Sequence, residues 1–383
     1  MIHQLIQQKF KEIYHTNPLI IRSPGRINLI GEHTDYNDGF VLPAAIDKSI
    51  YLGFAKNGSN TCRVYSMDYE EGQAFDLGSL TPRSGWINFI MGVTDQLVKK
   101  GYAVEGFDCV FGGDIPIGAG LSSSAALENG VGMGLSAVFE LNIDKLELVN
   151  ISQMAEHEFA GVKCGIMDMF ASMMGKQGQA IRLDCRSLDY EYVPVNLGDY
   201  QLLLCDTQVA HSLADSAYNT RREECQTGVE IIKKNYPEVK NLRDVEPFML
   251  EALKPEFPGK VYDRCHYVIS ENERLLKSCL ALESGNLTDL GKWLYASHHG
   301  LSTQYEVSCE ELDFLVEKTL DMPYVLGARM MGGGFGGCTL NLLEKSQKEH
   351  FVENMTWAYA EKFNQPLKTY EVRIENGTEK ISL

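Results

Sequence analysis

Apolar and polar positions follow two different periods along the first half of the chain. Apolar side chains recur at helical spacing over residues 1–14, which predicts an amphipathic helix lying as a lid on a first domain. Short apolar runs predict strands, at residues 19–21, 50–54, 107–111 and 180–183. Longer periodic segments predict helices, at residues 86–99, 123–139 and 145–159. Together these elements indicate a mixed α/β domain.

A polar stretch at residues 195–199 separates this region from a second one. The strand-like sequence YQLLLCDT begins at Tyr200, and long helical patterns follow before strands return at residues 338–343 and 369–374. We therefore expect two domains, residues 1–198 and residues 199–383.

The composition is that of an ordinary globular protein. The 383 residues are 44% hydrophobic and 23% charged, which is enough apolar material for two buried cores. Acidic residues outnumber basic ones by 52 to 35, and the formal charge of −17 argues against a general affinity for nucleic acid or anionic membranes. An anionic ligand would therefore need a local positive site.

The sequence carries no signal for secretion or for a membrane span. No run of about 18 apolar residues occurs, and the N-terminal sequence MIHQLIQQKFKEIYH lacks the apolar core of a signal peptide. We therefore expect a soluble cytoplasmic protein. The ten cysteines are scattered singly without a C-x-x-C pair, which favours reduced, mostly buried thiols over a zinc site or a disulfide framework.

Residues 23–43, SPGRINLIGEHTDYNDGFVLP, concentrate hydrogen-bonding side chains between apolar anchors. The polar residues are Arg26, Asn28, Glu32, His33, Asp35 and Tyr36. Carboxylates accept hydrogen bonds from hydroxyl groups and a histidine donates or accepts, so this group suits the several hydroxyls of a sugar. A strand and turn capped by Asp and Asn is the plainer interpretation, but a cap needs only one such residue.

Residues 116–128, PIGAGLSSSAALE, place glycines and serines directly before an apolar helical pattern. Gly118 and Gly120 let backbone N–H groups approach a ligand, and a helix beginning near Ser123 offers unpaired donors and the positive end of its dipole. Phosphate is the natural ligand for such a segment. A serine N-cap after a tight turn is the alternative, and it leaves the glycines and the other two serines unexplained.

Other nucleotide-binding patterns fit this segment less well. The dinucleotide pattern G-x-G-x-x-G is incomplete, because Ser123 occupies the last glycine position. The P-loop pattern G-x-x-x-x-G-K-[ST] is absent from the sequence, and so are the HRD and DFG elements of protein kinases.

Residues 155–172, AEHEFAGVKCGIMDMFAS, contain two carboxylates in different expected surroundings. Glu156 is predicted on a helix and Asp168 just after a glycine-containing turn. Two carboxylates in different surroundings can divide their tasks, one holding a divalent metal ion and the other contacting a hydroxyl group. A solvated helical carboxylate and a helix cap are the alternatives. His157 does not begin an HExxH zinc motif, because position 161 is glycine.

A glycine-rich segment lies at residues 327–338, GARMMGGGFGGC, with five glycines among residues 332–337. So many glycines indicate that the backbone passes close to another group. A plain glycine-rich hairpin is the alternative.

The string at residues 23–43 closely resembles the galactokinase signature, and residues 116–128 resemble the nucleotide-phosphate loop of the GHMP kinases. The glycine-rich segment resembles the third galactokinase motif, and the resemblance extends from about residue 19 to the end of the chain. It implies an α+β fold with two domains. The N-terminal one would be a mixed-sheet α/β domain similar to domain 2 of ribosomal protein S5, and the C-terminal one a ferredoxin-like α+β domain whose glycine-rich motif faces the phosphate loop.

The resemblance also implies roles for individual residues. Asp168 would be the catalytic base, and Arg26 would lie between it and the γ-phosphate and stabilise charge on the transferring group. The sugar would bind to Arg26, Glu32, His33, Asp35, Gly165, Asp168 and Tyr218. The nucleotide would bind to Trp86, Gly118, Ala119, Gly120, Leu121, Ser122, Ser123, Ser124 and Ala125. Mg²⁺ would bind to Glu156 together with Ser123 or Ser124.

Some positions have a second interpretation. Met169 stands where many galactokinases have glutamine, which changes the hydrogen bonding expected around Asp168. A core position explains Trp86 equally well. A structural role explains Arg221 and Arg222, which follow Tyr218, equally well.

The implied reaction is transfer of the γ-phosphate of ATP to the C1 hydroxyl of α-D-galactose, giving galactose 1-phosphate and ADP in the Leloir pathway. The implied partners are galactose and Mg-ATP, without nucleic acid or membrane, and the implied enzyme is a monomer. The rival hypotheses are an N-acetylgalactosamine kinase and a non-catalytic galactose and ATP sensor. The intact serines and Asp168 favour an enzyme. Another GHMP kinase, such as homoserine kinase, would not be expected to keep Glu32, His33 and Asp35.

Overall fold

Eleven helices and thirteen strands make up the described part of the computed structural model, which covers residues 1–116, 118–209 and 214–382, with only the backbone at residues 214–217. The strands are β1 (Leu19–Asn28), β2 (Phe40–Val41), β3 (Pro43–Lys56), β4 (Thr61–Ser66), β5 (Glu71–Asp76), β6 (Phe107–Gly113), β7 (Gln179–Asp184), β8 (Tyr190–Pro194), β9 (Tyr200–Asp206), β10 (Val325–Met330), β11 (Cys338–Glu344), β12 (Lys368–Val372) and β13 (Glu379–Ile381). The helices are α1 (Ile2–Tyr14), α2 (Ile87–Lys99), α3 (Ser123–Val138), α4 (Lys145–Ala155), α5 (Met167–Met174), α6 (Ala214–Lys233), α7 (Pro247–Ala252), α8 (Val261–Glu283), α9 (Leu287–Thr303), α10 (Glu310–Thr319) and α11 (Lys348–Phe363). Ile117 of the predicted phosphate loop lies outside the described residues.

A six-stranded mixed sheet organises the first half of the chain, in the order β13-β1-β3-β6-β4-β5. Its pairs are antiparallel except for β4 with β6. Helix α1 packs on one face through Ile6 and Phe10, which contact Ile20 and Val110. Helices α3 and α5 cover the other face. Because alternate side chains of a strand point to opposite faces, neighbouring apolar residues of β1 serve two separate cores.

Two further sheets follow in the chain. Strands β2, β7 and β8 form a small antiparallel sheet, and β10-β11-β9-β12 form a four-stranded antiparallel sheet. The predicted division between residues 198 and 199 falls in the link between β8 and β9. Strand β13, however, returns to the first sheet and pairs with β1. The exact division stays a prediction.

The helix predicted at residues 145–159 differs from the structure in one respect. The α-helical part ends at Ala155, and one π-helical turn follows at Glu156–Ala160. Such turns are rare and frequent at functional sites. The periodicity of apolar residues does not distinguish a π-helical turn from a regular α-helix. The sequence therefore predicts only one continuous helix over residues 145–159.

Six strands were not predicted from the sequence: β2, β4, β5, β8, β10 and β13. Strand β5 lies at the sheet edge and buries only Phe75, so it lacks the apolar run that identifies a strand. Among the described residues, none of the helices combines the length and apolarity needed to cross a lipid bilayer. The largest apolar core joins both halves, since Ile30 of the first region shares it with Leu275 and Leu340 of the second.

Candidate active site

A cavity of about 1070 Å³ opens between the two halves of the chain. Its walls come from four of the segments singled out in the sequence: the loop after β1, the loop before α3, residues 160–168 and the glycine-rich loop between β10 and β11. The start of α6 adds a fifth wall. The fold therefore brings these separate strings to one place.

Arg26 and Asp168 form a bidentate ion pair at the centre of this cavity. Arg26 Nε and Nη2 donate to Asp168 Oδ1 and Oδ2, both at 2.9 Å. Arg26 Nη1 donates to the carbonyl of Gly120, and Ser122 Oγ donates to Asp168 Oδ2, each at 2.5 Å. A carboxylate held by two partners in this way has little freedom to rotate. Asp168 therefore keeps one orientation towards the cavity, where its side chain is 29% exposed.

The start of α3 is open to an anion. Ser122 precedes the helix with a φ of 57° and makes no side-chain cap, because its hydroxyl is committed to Asp168. The first N–H groups of α3 therefore face the cavity without a side-chain acceptor. This geometry disagrees with a simple serine N-cap. Gly118 and Gly120 have φ values of 79° and 72°, which favour glycine.

Behind this loop, Ser124, Glu128 and Glu156 form a buried oxygen cluster. Ser124 and Glu128 lie four residues apart on α3, so their side chains share one face. Burial raises the pKa of the Glu156 carboxyl, while the neighbouring Glu128 and Ser124 side chains act to lower it. Burial raises the pKa of Glu128 well above its ordinary value, with the adjacent Glu156 as a second cause. Both Glu128 oxygens lack a donor among the described residues.

This cluster fits a divalent cation. Two buried carboxyl groups in contact repel each other unless a proton or a cation lies between them. Within the described residues, no group of three or more His, Cys, Asp or Glu side chains could hold a metal ion. A cation here would therefore use two carboxyl groups and a hydroxyl, and its other ligands would come from water and an anionic ligand, as is usual for Mg²⁺.

The glycine-rich loop lies against the loop before α3. Cys338 Sγ donates to the carbonyl of Ala119 at 3.1 Å. At Gly334, whose φ is 84°, an added Cβ would come within 2.0 Å of the carbonyl oxygen of Val307. A side chain there would push the loop away from its partners, so the glycine permits a close backbone approach.

Glu32 and His33 form a deeply buried polar wall of the cavity. Glu32 is 2% exposed, and its Oε1 accepts a hydrogen bond from the backbone N–H of Gly332 at 2.8 Å. His33 Nε2 lies 3.2 Å from the carbonyl of Gly333 and Nδ1 lies 2.8 Å from Tyr36 Oη. Burial lowers the pKa of His33 to about 3, so its ring is neutral.

The proton positions on His33 follow from its partners. A carbonyl only accepts, so Nε2 donates to Gly333, and Nδ1 of the neutral ring accepts from Tyr36. Tyr36 in turn accepts from Tyr305, whose Oη lies 2.8 Å away. Both ring nitrogens are thus engaged by protein groups. His33 lines the cavity with its ring rather than with a free donor.

Asp35 lies beside Asp168 and against Gly165. A Cβ on Gly165 would come within 1.7 Å of Asp35 Oδ2, so only glycine leaves room for this carboxyl. Burial raises the pKa of Asp35 to about 7, and the nearby negative charge of Asp168 adds to the increase. The cavity therefore contains one carboxyl that changes its charge near neutral pH.

The remaining predicted residues divide into three groups. Tyr218, Leu121 and Ser123 line the cavity, and the ring of Tyr218 lies 5.5 Å from that of His33. Ala119 and Ala125 are buried next to it. Trp86 is not among the described lining residues, since it packs in the core with its ring 5.1 Å from Phe111.

Three positions with a second interpretation are now placed. Arg221 donates to the carbonyls of Tyr305 and Glu306, which is a structural role. Arg222 lines the cavity. The Met169 side chain lies in the apolar core, while its carbonyl accepts from Asn129 Nδ2 at 2.8 Å. Position 169 therefore contributes packing rather than a polar side chain near Asp168.

Sequence reasoning did not assign Glu128 or Arg329 to the site. Both stand inside strings that drew attention for other residues: Glu128 ends PIGAGLSSSAALE, and Arg329 is the third letter of GARMMGGGFGGC. A charged residue in an otherwise apolar or glycine-rich run was the available signal, because burying it requires a partner.

Comparison with known proteins places these segments in a family context. Residues 8–56 match the galactokinase galactose-binding signature, residues 88–176 the GHMP kinase N-terminal domain and residues 278–360 the GHMP kinase C-terminal domain. The galactokinase of Thermotoga maritima is 42% identical over 361 residues, which cover 94% of this chain and 99% of that protein. That of Roseiflexus sp. is 38% identical over 378 residues, covering 98% and 96%.

Solved structures give the same picture. Lactococcus lactis galactokinase complexed with galactose is similar with a TM-score of 0.95 at 35% identity, and all of both chains is covered. A mevalonate kinase is similar in fold, with a TM-score of 0.68 at 17% identity over 94% of this chain and 99% of that one. The α+β GHMP kinase fold predicted from the sequence is confirmed.

Proposed function

The chain belongs to the galactokinase family of the GHMP kinases, and from this premise we propose which of its residues carry out the reaction. It is an enzyme, a kinase that transfers the γ-phosphate of ATP to galactose. The finer assignments below rest on the geometry of the cavity. They concern the acceptor hydroxyl, the phosphates, the metal ion and the sugar in turn.

The bidentate pair of Arg26 with Asp168 is the observation that carries the proposal. It lies where the loop before α3 meets the galactokinase signature, so a phosphate on one side and a sugar hydroxyl on the other would both reach it. Asp168, oriented by Arg26 and Ser122, accepts the hydrogen bond of the C1 hydroxyl and takes its proton. Because the transition state of phosphoryl transfer is loose, this positioning contributes more than early removal of the proton.

The phosphates of ATP bind at the N-terminus of α3. The lining residues Gly118, Gly120, Leu121, Ser122, Ser123 and Ser124 form this wall, and Ala119 and Ala125 pack behind it. Arg26 contributes positive charge at the boundary with the sugar, where charge develops on the transferring group. Trp86 packs against Phe111 in the neighbouring core and does not form part of the phosphate wall.

Ser124 and Glu156 would hold Mg²⁺, with Glu128 against Glu156. When bound, the ion neutralises charge on the phosphate oxygens. The Ser124 hydroxyl lies near enough to the Glu156 carboxyl to influence its pKa. Of the two serines considered from the sequence, this proximity favours Ser124 over Ser123.

The sugar hydroxyls bind to Glu32, Asp35 and the backbone near Gly165, with the Tyr218 ring as an apolar wall. Glu32 Oε1 is engaged by Gly332, which leaves Oε2 for a hydroxyl. His33 acts by fixing Gly333 and Tyr36 at the edge of the sugar site. We also propose that the enzyme acts in the cytoplasm as a monomer on galactose and Mg-ATP.

The experiment is an assay of ADP release with Mg-ATP and a panel of acceptors: galactose, N-acetylgalactosamine, glucose, mevalonate and homoserine. Turnover is expected with galactose well above the others. Equal turnover with N-acetylgalactosamine would favour that rival kinase. Galactose binding in a calorimeter without turnover would favour the sensor.

A second measurement tests the sugar contact. Glu32→Gln should raise the galactose KM about tenfold or more, the size expected for a hydrogen bond to a charged group, while the ATP KM stays unchanged. Equal effects on both KM values would contradict the assignment of Glu32 to the sugar.

A further inference from the structure

Residues far along the chain fix the segment that contains Glu32. Besides the bond from Gly332 to the Glu32 carboxylate, Tyr267 Oη donates to the carbonyl of Glu32 at 3.1 Å. The backbone N–H of Gly31 donates to Glu271 Oε1 at 3.0 Å. The wall proposed to bind the sugar is thus a first-half segment anchored by second-half residues.

Arg329 on β10 is the charged member of this anchor. Its side chain is completely buried, and its Nη1 donates to the carbonyls of Asn28 and Leu29 at 3.0 and 3.2 Å. Its Nη2 lies 3.2 Å from Glu32 Oε1 as an ion pair. One guanidinium therefore touches both the backbone at the end of β1 and the Glu32 carboxylate.

This contact divides the two oxygens of Glu32 between different tasks. Oε1 accepts a hydrogen bond from Gly332 N–H and lies within ion-pair distance of Arg329 Nη2, so this one oxygen faces two protein groups. Among the described residues, no other basic side chain pairs with Glu32, and Arg329 is not one of those that line the cavity. Arg329 can therefore influence the sugar only through neighbouring groups, of which Glu32 and the backbone that precedes it are the ones it contacts.

Burial makes the Arg329 contact costly to disturb. A guanidinium does not lose its proton in a protein, so a buried one needs carbonyls or a carboxylate around it. The carbonyls of Asn28 and Leu29 accept from Nη1, and the Glu32 carboxylate supplies the opposite charge, while Nε and Nη2 make no hydrogen bond among the described residues. If Glu32 rotated to present Oε1 to the cavity, Arg329 would lose its ion pair.

We propose that Arg329 is a positioning residue for sugar recognition: it holds Glu32 with Oε2 facing the sugar site, so the affinity for galactose depends on a residue that does not touch galactose. This inference rests on the proposed sugar contact of Glu32. It differs from a purely structural role, which would lower the stability of the protein but leave the galactose affinity of the folded protein unchanged.

The test uses Arg329→Lys and Arg329→Met in the full chain, with galactose affinity measured by calorimetry, the ATP KM by ADP release and the Tm by calorimetric scanning. A lysine cannot reach the two carbonyls and Glu32 together, because it lacks the planar pair of NH₂ groups. We expect galactose Kd to rise about tenfold in Arg329→Met and less in Arg329→Lys, with the ATP KM unchanged.

Arg22→Met is the matched control. Arg22 is also largely buried and also joins a carbonyl, that of Asn376 at 2.9 Å, to a carboxylate, that of Glu379 at 3.0 Å. It lies outside the lining residues. Its loss should lower the Tm without changing the galactose Kd.

The outcomes separate this inference from the proposed sugar contact. If Glu32→Gln leaves galactose binding unchanged, the sugar contact itself is wrong. If Glu32→Gln weakens galactose binding but Arg329→Lys does not, only the role of Arg329 is overturned. This comparison does not need Arg329→Met, so it can be made even if that variant fails to fold. The double variant Glu32→Gln with Arg329→Lys should weaken galactose binding by less than the sum of the two single effects, because both changes disturb one contact. Fully additive effects would also contradict the inference.

Discussion

The two sides of the cavity are built in different ways. The phosphate side, with Arg26, Ser122 and Asp168, comes entirely from the first half of the chain, and its carboxylate is partly exposed. The sugar side, with Glu32 and His33, is almost fully buried and is held by partners from the second half, such as Gly332 and Gly333.

This difference matches the two tasks. A transferring phosphoryl group carries changing charge, so its side of the site needs charged groups fixed in place before the reaction. A neutral sugar carries only hydroxyls, and it is recognised by buried acceptors whose hydrogen bonds fail when the match is wrong. Changes on the phosphate side should therefore lower kcat, and changes on the sugar side should raise the galactose KM.

The largest expected effect is that of Asp168→Asn on the phosphate side. We expect kcat to fall by about 10²–10⁴-fold, the range for loss of a general base, while calorimetric galactose binding stays within a few-fold of the parent. Asp108→Asn is the control, because Asp108 forms the same bidentate pair with Arg63, at 2.7 Å for both contacts, away from the cavity. A near-normal kcat in Asp168→Asn would remove the basis for separating the two sides.

Glu156→Gln should give the next largest effect and should also belong to the phosphate side. Loss of this carboxylate should raise the Mg²⁺ concentration for half-maximal ADP release by about 10–100-fold, which is the typical loss of metal affinity when a residue that supports a metal site is changed. Glu158→Gln is the control, since Glu158 lies on the same π-helical turn but contacts Lys99 and Gln96 instead. An unchanged Mg²⁺ requirement in Glu156→Gln would place the ion elsewhere.

Gly165→Ala tests the sugar side by a steric change, without altering any charge or hydrogen-bonding group. The added methyl group would overlap Asp35 Oδ2, so the carboxyl must move, and we expect the galactose KM to rise about tenfold with little change in the ATP KM. Gly78→Ala is the control, because nothing lies within 4 Å of a Cβ at that position. A fall in kcat with an unchanged galactose KM would assign Gly165 to the phosphate side instead.

The sequence predicted the phosphate side better than the sugar side, and the reason is physical. Gly118, Gly120 and the three serines act locally, so their pattern along the chain contains most of the geometry they adopt. The partners of Glu32 and His33 lie about 300 residues away, and no local pattern pairs Gly332 with Glu32. Folding alone brings them together.

The same distinction applies to the fold. Helix α1 buries one stripe, and α2 and α3 are buried on most of their surface. All three were predicted nearly in full, whereas β5 and β10 depend on their neighbours for pairing. Ser122 shows the limit within one short string. Its place before a helix allows a cap, which was the alternative interpretation, but its hydroxyl bonds to Asp168, 46 residues further on.

The smallest expected effect concerns pH and the sugar side. Asp35 has a pKa of about 7, and its ionised form has more acceptor sites for sugar hydroxyls than its protonated form. Galactose Kd should therefore rise about fourfold between pH 8 and pH 6.5, following the loss of the ionised form. Asp35→Asn should remove this dependence, and a pH response that persists in this variant would assign it to another group.

The stability of the protein should change in the opposite direction to binding. Because the folded-state pKa of Asp35 lies above its ordinary value of 3.8, the folded protein holds the proton more tightly, and stability is lost as pH rises from about 4 to about 7. Asp35→Asn should therefore raise the Tm at pH 8 more than at pH 5. An equal change in Tm at both pH values would show that burial does not raise the pKa of Asp35. The ionised Asp35 carboxylate would then not destabilise the folded protein.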